Sequence, residues 1–245
     1  MVWVPLLLVS LVVTGVACTR VCRDAVLVDA RGPGEGGEEL TVVEAAYLAG
    51  GPLRVADLAL VSLHQARLVL LAHTGWATVV DGNGGRDELE RAVLRAIGPG
   101  GQSPVRAVRP LVAGTSCVRA LADGLVARGL ALPEAERRTS VAGGRGLLGA
   151  FLLTLVLAAA AVLLVPEGVR VPVAAWFAMP LLAGGLCLLV ARAGGAGCWA
   201  SPSGRRLLAG LSSTDPMTAL ARRGTVVLEP ALRAAFRGHD SRHPS

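Results

Sequence analysis

Uncharged apolar positions gather into three runs, residues 1–19, 146–166 and 171–191. Each is long enough to cross a hydrocarbon core of roughly 30 Å as a helix. In lipid, segments this short and few satisfy their backbone groups only as helices. Pro166 and Pro172 lie at run ends, whereas Pro180 predicts a kink near the middle of the third helix.

The pattern changes over residues 40–140, which read as short helices with a little strand. Leu40-Thr41-Val42-Val43-Glu44 contains a Thr-x-x-Glu capping box ahead of a helix at Ala45 to Ala49, which Gly50-Gly51 stops. After Pro52 a longer helix places Arg54, Asp57, His64 and Gln65 on one face; the remaining surface, about three-quarters of it, is expected to be buried. Leu68 to Ala72 and Trp76 to Val80 suit two strands joined around Thr74-Gly75. Asp87 to Glu90 then opens a helix with acids in its first turn, where the macrodipole favours them. Ser103-Pro104 reads as the cap and first residue of another helix. A third starts at Thr115 and runs to Gly129, and Leu130 to Leu132 extends toward Pro133.

These elements predict a mainly α membrane protein: three transmembrane helices and a helix-rich soluble domain of tandem winged-helix-like units. The expected segments are a first membrane helix (1–19), a Gly/Glu-rich linker (20–39), a first module (40–85) and a second (86–140). Two further membrane helices (146–166 and 171–191) and a basic tail (192–245) follow.

Charge sets the orientation. Arg20, Arg23 and Arg31 follow the first run, Arg137, Arg138 and Arg145 precede the second, and Arg192, Arg205 and Arg206 follow the third. The positive-inside rule therefore puts the N-terminus outside and the domain and C-terminus in the cytoplasm of a multi-pass plasma-membrane protein. Trp3, Trp176 and Trp199 stand near run ends, as an aromatic belt requires. Residues 24–140 hold 12 arginines and 14 acids, and residues 192–245 hold 8 arginines and 3 acids, so the basic balance belongs to the tail. That tail suits anionic headgroups through Leu207, Leu208, Leu211, Leu232 and Phe236, or the acidic domain equally well. A rival reading makes Gly15-Val16-Ala17-Cys18 a lipoprotein cleavage box, but the start Met-Val-Trp-Val-Pro lacks a basic region.

Composition removes several chemistries. All 24 basic residues are arginine and the chain contains no lysine, so a Walker A lysine, a Schiff-base lysine and a kinase strand lysine are excluded. The arginine surplus matches the codon bias of a GC-rich genome, which makes it a weak sign of nucleic-acid binding. Gly32 to Gly37 satisfies G-x-G-x-x-G, but Glu35, Glu38 and Glu39 would repel phosphate there, so a linker is expected. Cys18, Cys22, Cys117, Cys187 and Cys198 form no metal pattern. His239 and His243 sit in a polar terminus without a third ligand, and His64 and His73 read as surface residues. Gly114-Thr115-Ser116-Cys117-Val118 lacks the last glycine of a nucleophile elbow. No catalytic, cofactor-binding or metal residue is assigned, and no cofactor is implied. A transporter is disfavoured because the apolar runs contain no ionisable group.

The stretch Gly34 to Thr41 (GEGGEELT) followed by Glu44 to Pro52 (EAAYLAGGP) resembles the opening motif of an actinobacterial membrane-protein family. The resemblance implies a first membrane helix, a soluble region of this length, a helix pair and a short tail. Many members end in a Gly/Cys-rich tail, whereas this chain ends Gly238-His239-Asp240-Ser241-Arg242-His243-Pro244-Ser245. The family implies no activity. The expected partners are the lipid bilayer and another protein; nucleic acid is disfavoured, and no small-molecule substrate is indicated. The function expected is a membrane-anchored cytosolic interaction or regulatory module without catalytic activity. The alternatives are a membrane-tethered winged-helix DNA regulator and an exported lipoprotein-like protein.

Overall fold

The computed structural model describes residues 3–29, 39–164, 170–193, 199–212 and 214–237. The protein is mainly helical and divides into two units, residues 1–32 with 133–198 and residues 33–132 with 199–245. The linker glycines and glutamates from Gly32 to Glu38, the link at 165–169, Cys198 and the terminal His239 and His243 lie outside the described residues.

The first unit is a bundle of α1 (Trp3–Asp29), α6 (Glu134–Leu164) and α7 (Arg170–Ala193). Leu6 and Leu7 pack with Ala158, Ala161, Phe177 and Leu181. Further along, the Thr14 and Thr154 hydroxyls lie 3.1 Å apart, and Gly184 lies against Phe151 and Thr14. Further still, Cys187 of α7 lies near Cys18 and Cys22 of α1. As numbers rise along α1 they rise along α7 and fall along α6, so α1 and α7 are parallel and α6 runs against both. Residues 29, 134 and 193 therefore end at one end of the bundle, where Arg20, Arg23, Arg137, Arg138 and Arg145 also lie. Thr154 gives its proton to the Ala150 carbonyl at 2.9 Å, which leaves Thr14 to donate across the helix pair. Among apolar helices such a bond contributes about 0.6–2 kcal/mol.

Among the described residues, three helices are long and apolar enough to cross a membrane: α6, the Ala174–Ala191 part of α7, and Val42–Gln65. The third is not the one expected. The apolar part of α1, Val4–Arg20, is shorter, about 25 Å of helix. Val42–Gln65 is apolar for a different reason, because 67% of its most apolar window is buried by protein, against 28% in α6 and 17% in α7. Helix α7 passes through Pro180 as one element.

That buried helix, α2 (Val42–Gln65), is the axis of the second unit. Thr41 caps it: its side chain accepts from the Glu44 amide at 3.3 Å while the Glu44 carboxylate accepts from the Thr41 amide at 2.9 Å. Gly51 leaves helical geometry at φ 72°, which breaks the helix before Pro52 as the sequence suggests. One face of the second arm, with Val55, Leu58 and Val61, joins a core with Leu48, Val118, Leu125 and Leu220. The other, with Ala56, Leu60 and Leu63, packs on Val69, Ala77, Val93 and Val108. The helix thus has a core on both sides.

Around it stand β1 (Val69–Leu71), β2 (Trp76–Val79), α3 (Glu88–Ile97), β3 (Gln102–Pro104), α4 (Val105–Ala113) and α5 (Ser116–Ala127). Ser103-Pro104 does not open a helix: both residues lie in β3, and α4 begins after them, with Pro104 at the cap position without a side-chain bond. Strand β3 pairs antiparallel with β2, which itself pairs with β1. Residues 40–85 and 86–132 therefore share one sheet and contribute to both cores, within one compact unit.

Of the two placements open to the tail, headgroups or the domain, the structure has the second. Residues 199–237 fold as α8 (Pro202–Gly210), α9 (Pro216–Arg223), a 3-10 turn (Gly224–Val227) and α10 (Pro230–Arg237). Leu207, Leu208, Leu211, Leu232 and Phe236 pack on the cores of the second unit, so they are not left over to contact headgroups. Ala131 and Ala200 form an antiparallel bridge, and Ser201 both caps α8 and donates to the Gly129 carbonyl at 2.7 Å. Trp199, placed by sequence in an interfacial belt, instead meets Tyr47 edge-on with ring centroids 5.4 Å apart.

At Gly51 a Cβ would fall 2.1 Å from the Trp199 ring, at a positive φ. Gly51→Ala should therefore destabilise the protein by about 2–5 kcal/mol, combining backbone strain with overpacking. Gly124→Ala, in α5 with open space around the added methyl, should instead stabilise it by about 0.5–1 kcal/mol. Thermal unfolding of both variants in detergent checks the opposite signs.

Candidate functional site

Among the ionisable groups of the second unit, those drawn inward are committed to holding it together. Asp57, the lone acid of the apolar arm of α2, is 2% exposed. Arg109 of α4 grips it with a two-pronged contact, Nε to Oδ1 at 2.5 Å and Nη2 to Oδ2 at 2.8 Å. Burial pushes the Asp57 carboxyl above the usual carboxylate range, and the Arg109 hydrogen bond and charge, with Arg54, pull it only partly back. One turn earlier, Arg54 reaches the C-terminal end of α9 and donates toward the Leu220 and Ala221 carbonyls at 3.4 and 3.5 Å. Its own burial lowers its pKa. Glu44 serves twice: one oxygen closes the capping box and the other accepts from Arg128 at the end of α5, at 2.5 Å. Glu90 is buried in α3, where it accepts from Ser62 Oγ at 3.2 Å and from the Arg86 amide at 2.9 Å.

The residues flagged from sequence do not converge on a reaction centre. Thr115 donates to the Val112 carbonyl at 2.6 Å and lies 3.1 Å from the Cys117 sulfur, at the junction of α4 and α5. His73 is exposed, as expected. His64 is not a free surface residue: its Nδ1 lies 3.2 Å from the Val69 carbonyl and 3.3 Å from the Leu71 amide, so in either tautomer it binds β1. Cys187 lies near Cys18 and Cys22, which come far earlier in the chain, at the arginine-bearing end of the bundle. Among the described residues no three His, Cys, Asp or Glu are placed to hold a metal ion. Sequence reasoning missed the Asp57–Arg109 pair, although an acid inside a helix expected to be mostly buried already calls for a buried cation.

The outward features are of another kind. On the sheet, Leu70 pairs with Thr78, and Thr78 with Gln102. Period-2 alternation places Trp76, Thr78 and Val80 together on the side away from the core. Leu70, Trp76 and Val80 are 56%, 46% and 65% exposed there. A solvent-open cleft of ≈ 920 Å³ lies between α3 and the β2 end, lined by Arg91, Arg95, Glu88, Leu94 and the Gly98–Gly101 loop. Charge has also been redistributed by the docked tail. Residues 39–132 and 199–237 together hold 15 arginines and 10 acids, a net of +5, so the folded unit is basic where its first stretch alone is nearly balanced.

Neither protein-family models, nor curated proteins, nor solved structures give a match to this chain. The unit thus presents an apolar sheet face and a cleft with two arginines, while its described buried charges are engaged in internal contacts.

Arg109→Met leaves Asp57 buried without its partner and should cost about 3 kcal/mol. The folded-state pKa of Asp57 then rises further above its unfolded value of about 3.9. The loss is therefore full at neutral pH and is relieved as pH falls through that raised value. Combining it with Asp57→Leu should recover most of the stability at pH 7 and remove the pH dependence. Thermal unfolding at pH 5 and pH 7 checks both.

Proposed function

We propose that the protein is a membrane-anchored interaction module, with its N-terminus outside and its folded unit on the cytoplasmic side. Three observations support the anchor. Helices α6 and α7 are apolar and largely uncovered, the three helices alternate in direction, and the arginines gather at one end. The exposed face formed by Leu70, Trp76 and Val80 carries the interaction reading, because a patch of this kind on a folded unit marks a surface that another protein covers.

The DNA-binding alternative is less well supported, despite the net +5 of the unit. In a helix-helix-hairpin reading, the second arm of α2 would be the groove-reading helix, and here it is buried on both faces. The outward positions of α5 are Ser116, Arg119, Ala120, Asp123, Gly124 and Ala127, which offer one cation and one acid to a phosphate backbone. The lipoprotein alternative requires removal of residues 1–17, which include Leu6, Leu7 and Thr14 of the bundle packing.

Reporter fusions after Gly100 and after Gly238 should both give cytoplasmic signals, and an extracytoplasmic signal at Gly100 would overturn the orientation. With a photo-crosslinking side chain at position 76 of the full chain in cells, a discrete protein adduct is expected. A probe at Ala120 should give none. Leu70→Asp with Val80→Asp should abolish the adduct and change stability by less than about 0.5 kcal/mol. Equal adducts at both positions, or none at position 76, would overturn the interaction surface.

A further inference from the structure

Between α1 and α6, at the arginine-bearing end of the bundle, lies an open groove of ≈ 640 Å³. Its deep end is formed by Val12, Val13 and Leu153, and its outer end by Arg20 and Thr139. Along α6 it runs from Thr139 to Leu153, fourteen residues and hence about 21 Å of helix. One leaflet has nearly the same depth: half of a core of roughly 30 Å, plus a headgroup layer of roughly 5–7 Å. The floor includes Gly146 and Gly149, where an added Cβ would meet nothing within 4 Å. The groove is thus apolar over the depth of an acyl chain and cationic at the level of a headgroup. Arg145 and Arg138 are exposed at the same end.

We infer that this groove binds one anionic phospholipid, its acyl chain lying along Val13, Leu153 and the glycines and its phosphate against Arg20. The inference rests on the membrane reading above. Charge complementarity selects the occupant: a zwitterionic lipid would fill the same apolar length, but its choline or ethanolamine would face Arg20 at the mouth. Placing one arginine at the mouth sets the expected preference for an anionic over a zwitterionic lipid at roughly fivefold.

The test uses the full chain, purified in detergent and exchanged into an equal mixture of phosphatidylglycerol and phosphatidylcholine, with bound lipid counted by native mass spectrometry. Wild type should retain one phosphatidylglycerol with about fivefold preference. Arg20→Gln should bring the preference close to one, and Arg20→Lys should restore it. Gly146→Leu with Gly149→Leu should fill the groove and lower retention of both lipids several-fold, with the melting temperature showing that the bundle persists. Equal retention of the two lipids by wild type overturns the inference. So does a preference that survives filling of the groove, which would locate it on the arginine surface in general. A lipid-free dimer, with a second copy covering the groove, overturns it too. Recovery of the chain in the aqueous phase without detergent would instead sink the membrane reading itself, and so the two failures are distinguishable.

Discussion

A helix that is apolar nearly all round is stable beside water only when it is covered on every side, and α2 imposes that constraint on the rest of the chain. Its two arms offer Val55, Leu58 and Val61 to one core and Ala56, Leu60 and Leu63 to another. The segment that follows it directly, residues 66–132, covers part of this surface. Leu220, Leu232 and Phe236 complete the cover from more than 150 residues away. The chain must therefore leave the unit at Leu132, traverse α6 and α7, and return at Trp199. Helices α6 and α7, which run in opposite directions, lie between those two points in the chain.

The kink in α2 shows how local chemistry serves that constraint. Gly51 adopts a positive φ, and its missing side chain leaves the space that Trp199 fills against Tyr47. Arg54, one turn later, spans to α9, and Gly224 is a glycine because a Cβ there would meet the Arg54 guanidinium. Both contacts join the first stretch of the unit to the returning one.

Much of this was legible in the sequence where the signal is local. Thr41 and Glu44 specify the cap, Gly50-Gly51-Pro52 the break, Asp87 the start of α3, and the uncharged runs the apolar helices. What escaped was either short or non-local. Strand β3 is three residues long and contains Ser103-Pro104, which at that length reads equally as a helix start; only its pairing with β2 decides the matter. The helices of the tail alternate leucine with arginine, a pattern that suits a lipid surface and a protein core alike. Trp199 follows an apolar run by a few residues, so proximity in sequence suggested a membrane belt, while its ring belongs to the folded unit. Asp57 and Arg109 are fifty-two residues apart, and no periodicity links them. Cys187 comes near Cys18 and Cys22 only through the packing of α7 on α1, which no local pattern announces.

The sheet offers two ways to meet another chain, and its edges favour one of them. A partner adding a strand would need the outward backbone groups of β1, Val69 carbonyl and Leu71 amide, and His64 already occupies that position. The opposite edge, β3, is three residues long and ends in Pro104, which has no amide to donate. Strand addition is thereby disfavoured at both edges. The face is different: Leu70 and Trp76 stand out from β1 and β2, with Val80 just beyond β2, so apolar area remains that no described segment covers. Recognition by side chains on that face, rather than by backbone pairing at an edge, is the mode this geometry supports.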